Sequence, residues 1–225
     1  MRVKAIIFHT TKLYNQAKME NSKINKSESV LQLLNDTAGD IRSMIQDVIS
    51  SDEQKIDRIT SCFTKLPLIK RGTIILAQGQ VCKHFYFIET GCVRSYYITK
   101  EGLEKTRLIM FERSPLTVLS SIISQKPTIE YLETLEDTIL YSISQVDFFL
   151  LRKEIPEWDE FYQKILEDAF LFQNSKIEEL VTLSAKERYE KLQKEKPHYI
   201  QRVTNKVLAT YLDISQETLS RLKSK

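Results

Sequence analysis

Apolar residues between positions 27 and 63 recur every three or four residues, which is the spacing of one buried helix face. The pattern predicts two helices. A capping box between Ser51 and Gln54, in which each residue satisfies a free backbone N–H of the other, would open the second helix. That helix is expected to end near Phe63. We expect both helices to pack on the edge of the domain that follows.

From Pro67 onward the pattern changes to short β-branched and aromatic runs separated by glycines. Four of the five glycines fall in one stretch, at Gly72, Gly79, Gly91 and Gly102. Short strands with glycine turns between them are typical of an antiparallel sandwich or barrel. The predicted strands are Thr73–Ala77, His84–Ile88, Val93–Ile98, Lys105–Met110, Thr128–Leu135 and Thr138–Ser144. The β domain is therefore expected to span about residues 65–146.

A long helical stretch follows, after a short helix that Asp147 is predicted to cap and Pro156 to end. From Glu157 to Leu183 apolar residues occupy two faces. One face carries Trp158, Tyr162, Ile165, Ala169 and Phe172, and the other carries Leu166, Phe170, Ile177 and Leu180. A helix that is apolar on two sides must bury both. One side can pack on the β domain, and a second copy of the helix across a two-fold axis would cover the other. We therefore predict a homodimer through residues 157–183; a fully buried core helix is the alternative.

The last twenty-five residues, Gln201–Lys225, have the pattern of two short helices joined by a tight turn. Thr204 is predicted to cap the first helix and Ser215 the second, because their hydroxyls accept free backbone N–H groups. Asp213 lies in the turn, where a left-handed backbone is needed and Asp tolerates it. The small residue Ala209 lets the helices approach closely. The expected buried face comprises Ile214, Leu219 and Leu222. This pattern is typical of a helix-turn-helix.

The segment from Lys186 onward is basic, with ten Lys and Arg against five Asp and Glu, whereas the whole chain carries a formal charge of only +3. A capping box of Ser184 with Glu187 is predicted to begin the first helix of this region, and Pro197 is expected to end that helix. A basic C-terminal segment on an otherwise near-neutral chain favours a polyanionic partner. A lysine-rich solvated surface is the alternative.

The outer face at the start of the second helix carries Gln216, Glu217, Ser220 and Arg221. A recognition helix presents its first turns to base edges, where Arg pairs with guanine, Gln with adenine and Glu with cytosine. Candidate phosphate contacts are Arg202, Lys206, Lys223 and Lys225. Two copies on a two-fold axis would read half-sites about one DNA turn apart. A helical hairpin docked on its own domain, with solvated charges, is the alternative.

The remaining chemistry-bearing residues indicate neither a metal centre nor an enzyme. Cys62, Cys82 and Cys92 lack metal-ligand spacing and suggest free thiols in a reducing cytoplasm. The histidines His9, His84 and His198 are far apart in sequence, and no hydrolase or nucleotide motif occurs. No apolar run reaches about 18 residues, so we expect no membrane span. Residues 1–26 are predicted to be a flexible leader, and either Met1 or Met19 could begin the chain.

The order of these parts resembles the CRP/FNR superfamily of bacterial transcription regulators, which contains the cyclic-AMP receptor protein. The resemblance covers about Ile69–Lys225. Its specific parts are I-K-R-G-T-I-I-L-A-Q-G-Q-V at Ile69–Val81, F-Y-F-I-E-T-G-C-V-R at Phe85–Arg94, L-S-A-K-E-R-Y at Leu183–Tyr189 and S-Q-E-T-L-S-R-L at Ser215–Leu222. The resemblance implies that Gln216, Glu217 and Arg221 contact bases. It also implies that Thr204, Asn205, Ser215 and Thr218 contact phosphates. Double-stranded DNA is the implied partner, and RNA polymerase is a further candidate.

The chain departs from the cyclic-nucleotide-binding members of that family. Thr117-Val118 stands where their Gly-Glu pair would be, and Thr128-Ile129 where their Arg-Ser pair would be. A buried phosphate needs a charged or multi-donor partner, which neither pair supplies. We therefore expect no tight binding of cyclic AMP or cyclic GMP, and the effector is unknown. Arg113 and Lys126 are candidates for another anion, with solvated loop charges as the favoured interpretation.

Two further family features are not expected. The cysteine cluster that holds an iron–sulfur centre in oxygen-sensing relatives has no counterpart, so no cofactor is predicted. The chain ends at Lys225, three residues after Leu222, so contacts from a β-wing are not expected either.

Together these patterns predict an α+β protein. An antiparallel β-roll, which is jelly-roll-like and cyclic-nucleotide-binding-like, is followed by a long dimerisation helix and then by an all-α helix-turn-helix domain. The predicted divisions are 1–26 for the leader, 27–156 for the N-terminal helices and β-roll, 157–183 for the dimerisation helix and 184–225 for the DNA-binding domain. The leading hypothesis is a dimeric, sequence-specific DNA-binding transcription regulator in the cytoplasm. The alternatives are a β-roll protein-interaction module whose helical tail does not bind DNA, and a cupin-like metal enzyme.

Overall fold

A computed structural model describes residues 40–49 and 52–224 of the chain. The predicted leader, the first part of the first predicted helix (27–39), and the residues Ser51 and Lys225 lie outside the described residues. Two short helices come first, α1 (Ile41–Val48) and α2 (Glu53–Thr60). Asp52 caps α2, since its carboxylate accepts the backbone N–H groups of Gln54 and Lys55. The predicted capping box of Ser51 with Gln54 involves a residue outside the described part of the chain; the cap that the structure shows is Asp52.

Two four-stranded antiparallel sheets form the β-roll. The strands are β1 (Thr64–Lys65), β2 (Ile74–Leu76), β3 (His84–Thr90), β4 (Val93–Ile98), β5 (Glu104–Met110), β6 (Pro115–Leu116), β7 (Tyr131–Thr134) and β8 (Ile139–Ser144). One sheet has the order β1-β8-β3-β6 and the other β2-β7-β4-β5. Both sheets contain strand pairs that are distant in sequence, and every strand pair of the described residues is antiparallel. The predicted antiparallel roll is confirmed.

Four local details of the roll differ from the prediction. The strand expected over Thr128–Leu135 is shorter, because the Thr128 hydroxyl accepts the backbone N–H of Glu130 (2.8 Å) and competes with the ladder. The strands β1 and β6 and a helix α3 (Leu119–Ser124) are additional elements. They are too short for a periodic pattern to reveal.

Gly91 forms a turn that only glycine can form at this point. Its φ is +99°, and a Cβ there would lie 2.9 Å from Cα of Thr138. The left-handed backbone and the close approach both exclude a side chain. The turn between β3 and β4 is thereby packed directly against the start of β8.

Helices α4 (Gln145–Glu154) and α5 (Pro156–Thr182) close one side of the roll. Ser144, rather than the predicted Asp147, caps α4 by accepting the backbone N–H of Asp147 (3.0 Å). Phe148 of α4 stacks on Phe85 of the roll with ring centroids 3.8 Å apart. The first half of α5 is buried in the same core through Trp158, Phe161, Tyr162 and Ile165. The predicted packing of one α5 face on its own β domain is confirmed.

Four helices complete the described chain: α6 (Ala185–Glu195), α7 (Pro197–Arg202), α8 (Asn205–Leu212) and α9 (Gln216–Lys223). The capping box of Ser184 with Glu187 is present at the start of α6. Pro197 ends α6 as predicted, but it also begins the unpredicted α7, where its fixed φ suits the first helical position. These helices share a second core with Cys92, Ile109 and Phe111 of the roll. The helical domain is therefore packed against the β-roll.

Candidate DNA-binding site

The helix-turn-helix of α8 and α9 is built by the residues that its sequence pattern indicated. The Thr204 hydroxyl accepts the backbone N–H of Val207, and the Ser215 hydroxyl accepts that of Thr218. Asp213 occupies the left-handed region with φ 54° and ψ 49°. Ala209 and Leu219 are buried where the helices meet. Both helix starts and the turn between them are thus fixed by local chemistry.

The outer face of α9 is exposed to solvent. Gln216, Glu217, Ser220 and Arg221 are all exposed, whereas Leu219 on the opposite face is fully buried. The Arg221 Nε lies 3.4 Å from the backbone oxygen of Glu217, so the guanidinium rests along its own helix. A hydrogen bond from Ser215 lowers the pKa of Glu217, which is therefore ionised at neutral pH. The face offers both donors and acceptors to a partner.

The predicted phosphate contacts fall into three groups in the structure. Asn205 and Lys223 come together, since the Lys223 ammonium donates to the Asn205 amide oxygen (2.5 Å) and ties the start of α8 to the end of α9. Lys206 instead reaches Glu104 on β5 (3.3 Å). Thr204, Ser215 and Thr218 lie at the two helix starts, where free backbone N–H groups favour an anion.

Arg202 does not serve as a free phosphate contact in this structure. Its guanidinium pairs with Glu112 and Glu136 of the roll, each at 2.6 Å. It also lies 4.7 Å from the ring centroid of Phe111. The hydrogen bonds that it donates to both carboxylates raise its pKa further above the usual range. The sequence-based expectation for Arg202 is therefore not met.

The contacts of the helical domain with the roll form what we call the roll–helix interface. Besides Arg202, it contains four pairs: Lys105 with Asp213, Lys206 with Glu104, Thr106 with Thr210, and Tyr199 with the carbonyl of Ile109. The members of each pair are 90 to 108 residues apart. Sequence analysis missed this interface, because no local pattern pairs such distant positions.

The predicted departure from a cyclic-nucleotide site has a structural counterpart. Val118 is fully buried in the roll core. It occupies the N-cap position of α3, where its apolar side chain makes no capping hydrogen bond. The Thr117 hydroxyl donates to the carbonyl of His84 (3.0 Å). Thr128 is buried, whereas Ile129 is 66% exposed. These four side chains provide neither a carboxylate nor a positive charge at this place.

The two candidate cations near this region have different environments. Arg113 is buried and pairs with Asp47 of α1, so the favoured interpretation of solvated loop charges is wrong for it. The ion pair between the buried Arg113 and Asp47 holds α1 against the roll. Lys126 is exposed, as expected.

The second half of α5 carries an uncovered apolar face in the single chain. Its exposed apolar residues are Phe170, Leu171, Ile177, Leu180 and Val181. Val181 is the extreme case, at 80% exposure. Contiguous exposed apolar residues of this kind mark an interaction surface.

The described residues show neither a metal cluster nor a membrane span. Within residues 40–49 and 52–224, no group of three His, Cys, Asp or Glu side chains is placed to hold a metal ion. No helix of that same part of the chain is long and apolar enough to cross a membrane.

Comparisons with known proteins agree with this architecture. Residues 68–154 match the cyclic nucleotide-binding domain family. No curated protein matches the chain. Among solved structures, FixK2 from Bradyrhizobium japonicum is 15% identical over 72% of this chain and 83% of its own, with a TM-score of 0.65. A transcriptional regulator of the crp/fnr family from Eubacterium rectale is 19% identical over 80% of this chain and 83% of its own, with a TM-score of 0.62. A CooA mutant from Carboxydothermus hydrogenoformans is 17% identical over 85% of this chain and 84% of its own, also with a TM-score of 0.62. At these identities the likeness concerns the fold.

Proposed function

We propose that this chain, which has the fold of the CRP/FNR transcription regulators and contains a cyclic nucleotide-binding domain, is itself a dimeric regulator that binds specific double-stranded DNA sequences. Its recognition element would be α9, and no catalytic role is assigned to it. The roll would sense an effector other than cyclic AMP.

The observation that carries this proposal is the exposed polar face of α9. Gln216, Glu217 and Arg221 lie in its first two turns, and among the described residues they are exposed and form no hydrogen bond or ion pair with the roll. Side chains of these types can form paired hydrogen bonds with base edges in the major groove. The face stays exposed although the rest of the helical domain is packed on the roll, so docking of this domain does not cover the recognition surface.

Phosphate contacts would surround this face. Thr204 and Ser215 begin two helices whose N-terminal N–H groups attract anions. Asn205, Lys206, Thr218, Ser220 and Lys223 complete the proposed DNA-binding set. Lys206 and Lys223 would exchange their protein partners, Glu104 and Asn205, for phosphate oxygens.

The apolar second half of α5 supports the dimer. A second copy of the same face would bury the exposed Phe170, Ile177 and Val181 side chains. A two-fold axis along α5 would present two α9 helices to one duplex, with half-sites about 34 Å apart. Regulators of this geometry bind inverted-repeat sequences.

The proposal is tested by selecting duplexes from a random DNA pool with the full-length protein and then measuring fluorescence anisotropy at two salt concentrations. We expect enrichment of an inverted repeat, and Arg221→Ala should weaken binding to it by about tenfold to a hundredfold. Arg71→Ala is the matched control, because Arg71 is an exposed arginine on the roll. Circular dichroism would establish that both variants are folded.

Two results would contradict the proposal. Equal, salt-steep binding to selected and scrambled duplexes would indicate only charge attraction. Absence of binding even at low salt would favour the alternative, a protein-interaction module whose helical tail docks another protein.

A further inference from the structure

A second site lies where the long helix meets the helix-turn-helix domain. A cavity of about 90 Å³ is lined by residues of α5, α6 and α8 and by Lys196, which follows α6. Its charged lining consists of four basic side chains, Lys176, Arg188, Lys191 and Lys196, and two acidic ones, Glu179 and Glu195. The lining therefore has a formal excess of two positive charges. It is distinct from the exposed face of α9.

Half of the formal positive charge in this cavity is not balanced by acidic side chains of its lining. Lys191 pairs with Glu179 at 2.8 Å. Lys176, Arg188 and Lys196 make no ion pair with a carboxylate among the described residues. Lys176 donates to the carbonyl of Tyr211 (2.9 Å), and Arg188 donates to those of Leu183 and Leu212 (2.7 and 3.1 Å).

A structural role accounts for only part of this arrangement. Tyr211 and Leu212 are the last residues of α8, and cations stabilise the free carbonyls at a helix end. Lys176 and Arg188 therefore cap α8 from two other helices. The Lys196 ammonium donates to no helix-end carbonyl among the described residues; it lies over two aromatic rings, 5.5 Å from the ring centroid of Phe172 and 5.3 Å from that of Tyr199.

The cations are also partly removed from water. Burial lowers the pKa of Lys176 to about 8, and burial lowers the pKa of Lys196 as well. The charge of Glu179 opposes this shift at both lysines, whereas Lys196 and Arg188 add to it at Lys176 by repulsion. A partly buried cation with too little counter-charge is costly, and an anion beside these groups would favour their charged forms.

We propose that this cavity binds a phosphate group, either as inorganic phosphate or as the end of a small phosphomonoester. The cavity volume is well above the roughly 10–15 Å³ that a single water needs, so it has room for one tetrahedral oxyanion. Lys196 would be its principal ligand, and Lys176 and Arg188 would contribute from α5 and α6. The bound phosphate would join three helices at the C-terminal end of α8, about 12 Å from the end proposed to contact DNA.

Phosphate binding here does not depend on DNA binding, so its test is separate from that of the proposed function. Isothermal titration of the full-length protein, in a buffer free of phosphate and sulfate, would use inorganic phosphate and glycerol phosphate as probes. We expect saturable binding with one site per chain. Saturation by phosphate alone would identify the free anion as the ligand, and saturation by both would show that the site admits a monoester.

Three variants make the assignment specific. Lys196→Met should weaken binding by about tenfold or more, whereas Lys194→Met, at an exposed position of α6 outside the cavity, should leave it unchanged. Glu195→Gln removes a repelling carboxylate and should strengthen binding by about threefold. A gain of affinity cannot result from misfolding. The absence of saturable binding for both probes, or equal affinity in all three variants, would overturn the proposal.

Discussion

The hydroxyl oxygens of Thr106 on β5 and Thr210 on α8 lie 2.6 Å apart, although 104 residues separate them. The Thr210 hydroxyl also lies 2.8 Å from the carbonyl of Val207, which can only accept. The Arg94 guanidinium, buried inside the roll, donates to Thr106 (3.3 Å). The hydrogen bonds can therefore all point one way, from Arg94 through Thr106 and Thr210 to the backbone of α8. The position of the helix-turn-helix is thus tied to a buried charge of the roll.

We expect this pair of hydroxyls to stabilise the roll–helix interface directly. Thr106→Val and Thr210→Val keep the side-chain shape and remove one partner each, so each should lower the free energy of unfolding by about 1–2 kcal/mol. Urea unfolding of the two single variants and the double variant gives their coupling energy. A coupling energy of about 0.5–1.5 kcal/mol is expected. Strictly additive effects would show that the two hydroxyls do not interact.

The pairing of Glu112 with Arg202 predicts a loss of stability in acid. Burial acts to raise the pKa of Glu112, but hydrogen bonds from Arg202 and from backbone groups outweigh it and lower the pKa below the usual 4.5. A carboxylate with a depressed pKa stabilises the fold above its unfolded-state pKa, and this contribution is lost as the pH falls through the folded value. The interface should therefore weaken below a pH of about 4.5.

Thermal unfolding of Glu112→Gln measures this contribution. The variant should melt below the wild type near pH 7, and the difference should shrink as the pH falls to about 3. Glu160→Gln is the control, because Glu160 is an exposed residue of α5. If the difference between Glu112→Gln and the wild type is the same at both pH values, the ion pair does not contribute as described.

Elements whose determinants are close in the chain were predictable from the sequence. Thr204, Asp213 and Ser215 fix the helix-turn-helix through contacts within three residues or through their own backbone conformation. The long helix was predicted over Glu157–Leu183 and is observed as Pro156–Thr182, because its apolar pattern covers seven turns. The residue that caps a helix was harder to predict where another suitable residue lies close by in the chain, as it does for Asp52 and for Ser144. The packing of the chain decides between such candidates.

Features that depend on tertiary structure were not predictable in this way. Arg202 looks like a phosphate ligand in a basic segment, but the fold brings Glu112 and Glu136 to it from the roll. Arg113 looks like a loop charge, but the fold buries it beside Asp47. The cavity at Lys196 requires three helices to meet. Charges in one segment do not reveal which distant charges they face.

The roll should not bind cyclic AMP tightly. Val118 is buried in the core and Ile129 is exposed, so neither an acceptor for a ribose hydroxyl nor a positive charge for the cyclic phosphate stands at these positions. Each missing buried partner costs roughly 1–3 kcal/mol, and more for a charged group. Isothermal titration with cyclic AMP should give no saturable binding below a Kd of about 1 mM. Linear AMP is the matched control, and micromolar binding of the cyclic form alone would contradict this prediction.

The apolar face of α5 should hold two chains together. Val181→Glu and Ile177→Glu each place a charge in a face that would be buried between subunits, where an unpaired charge is strongly destabilising. Light scattering coupled to size exclusion should find a dimer for the wild type and a monomer, or a dimer weakened by at least about tenfold, for either variant. Gln193→Glu adds the same charge at an exposed position of α6 and should leave the dimer intact. A wild-type monomer at micromolar concentration, or variants that remain dimeric, would show that another surface or another partner covers α5.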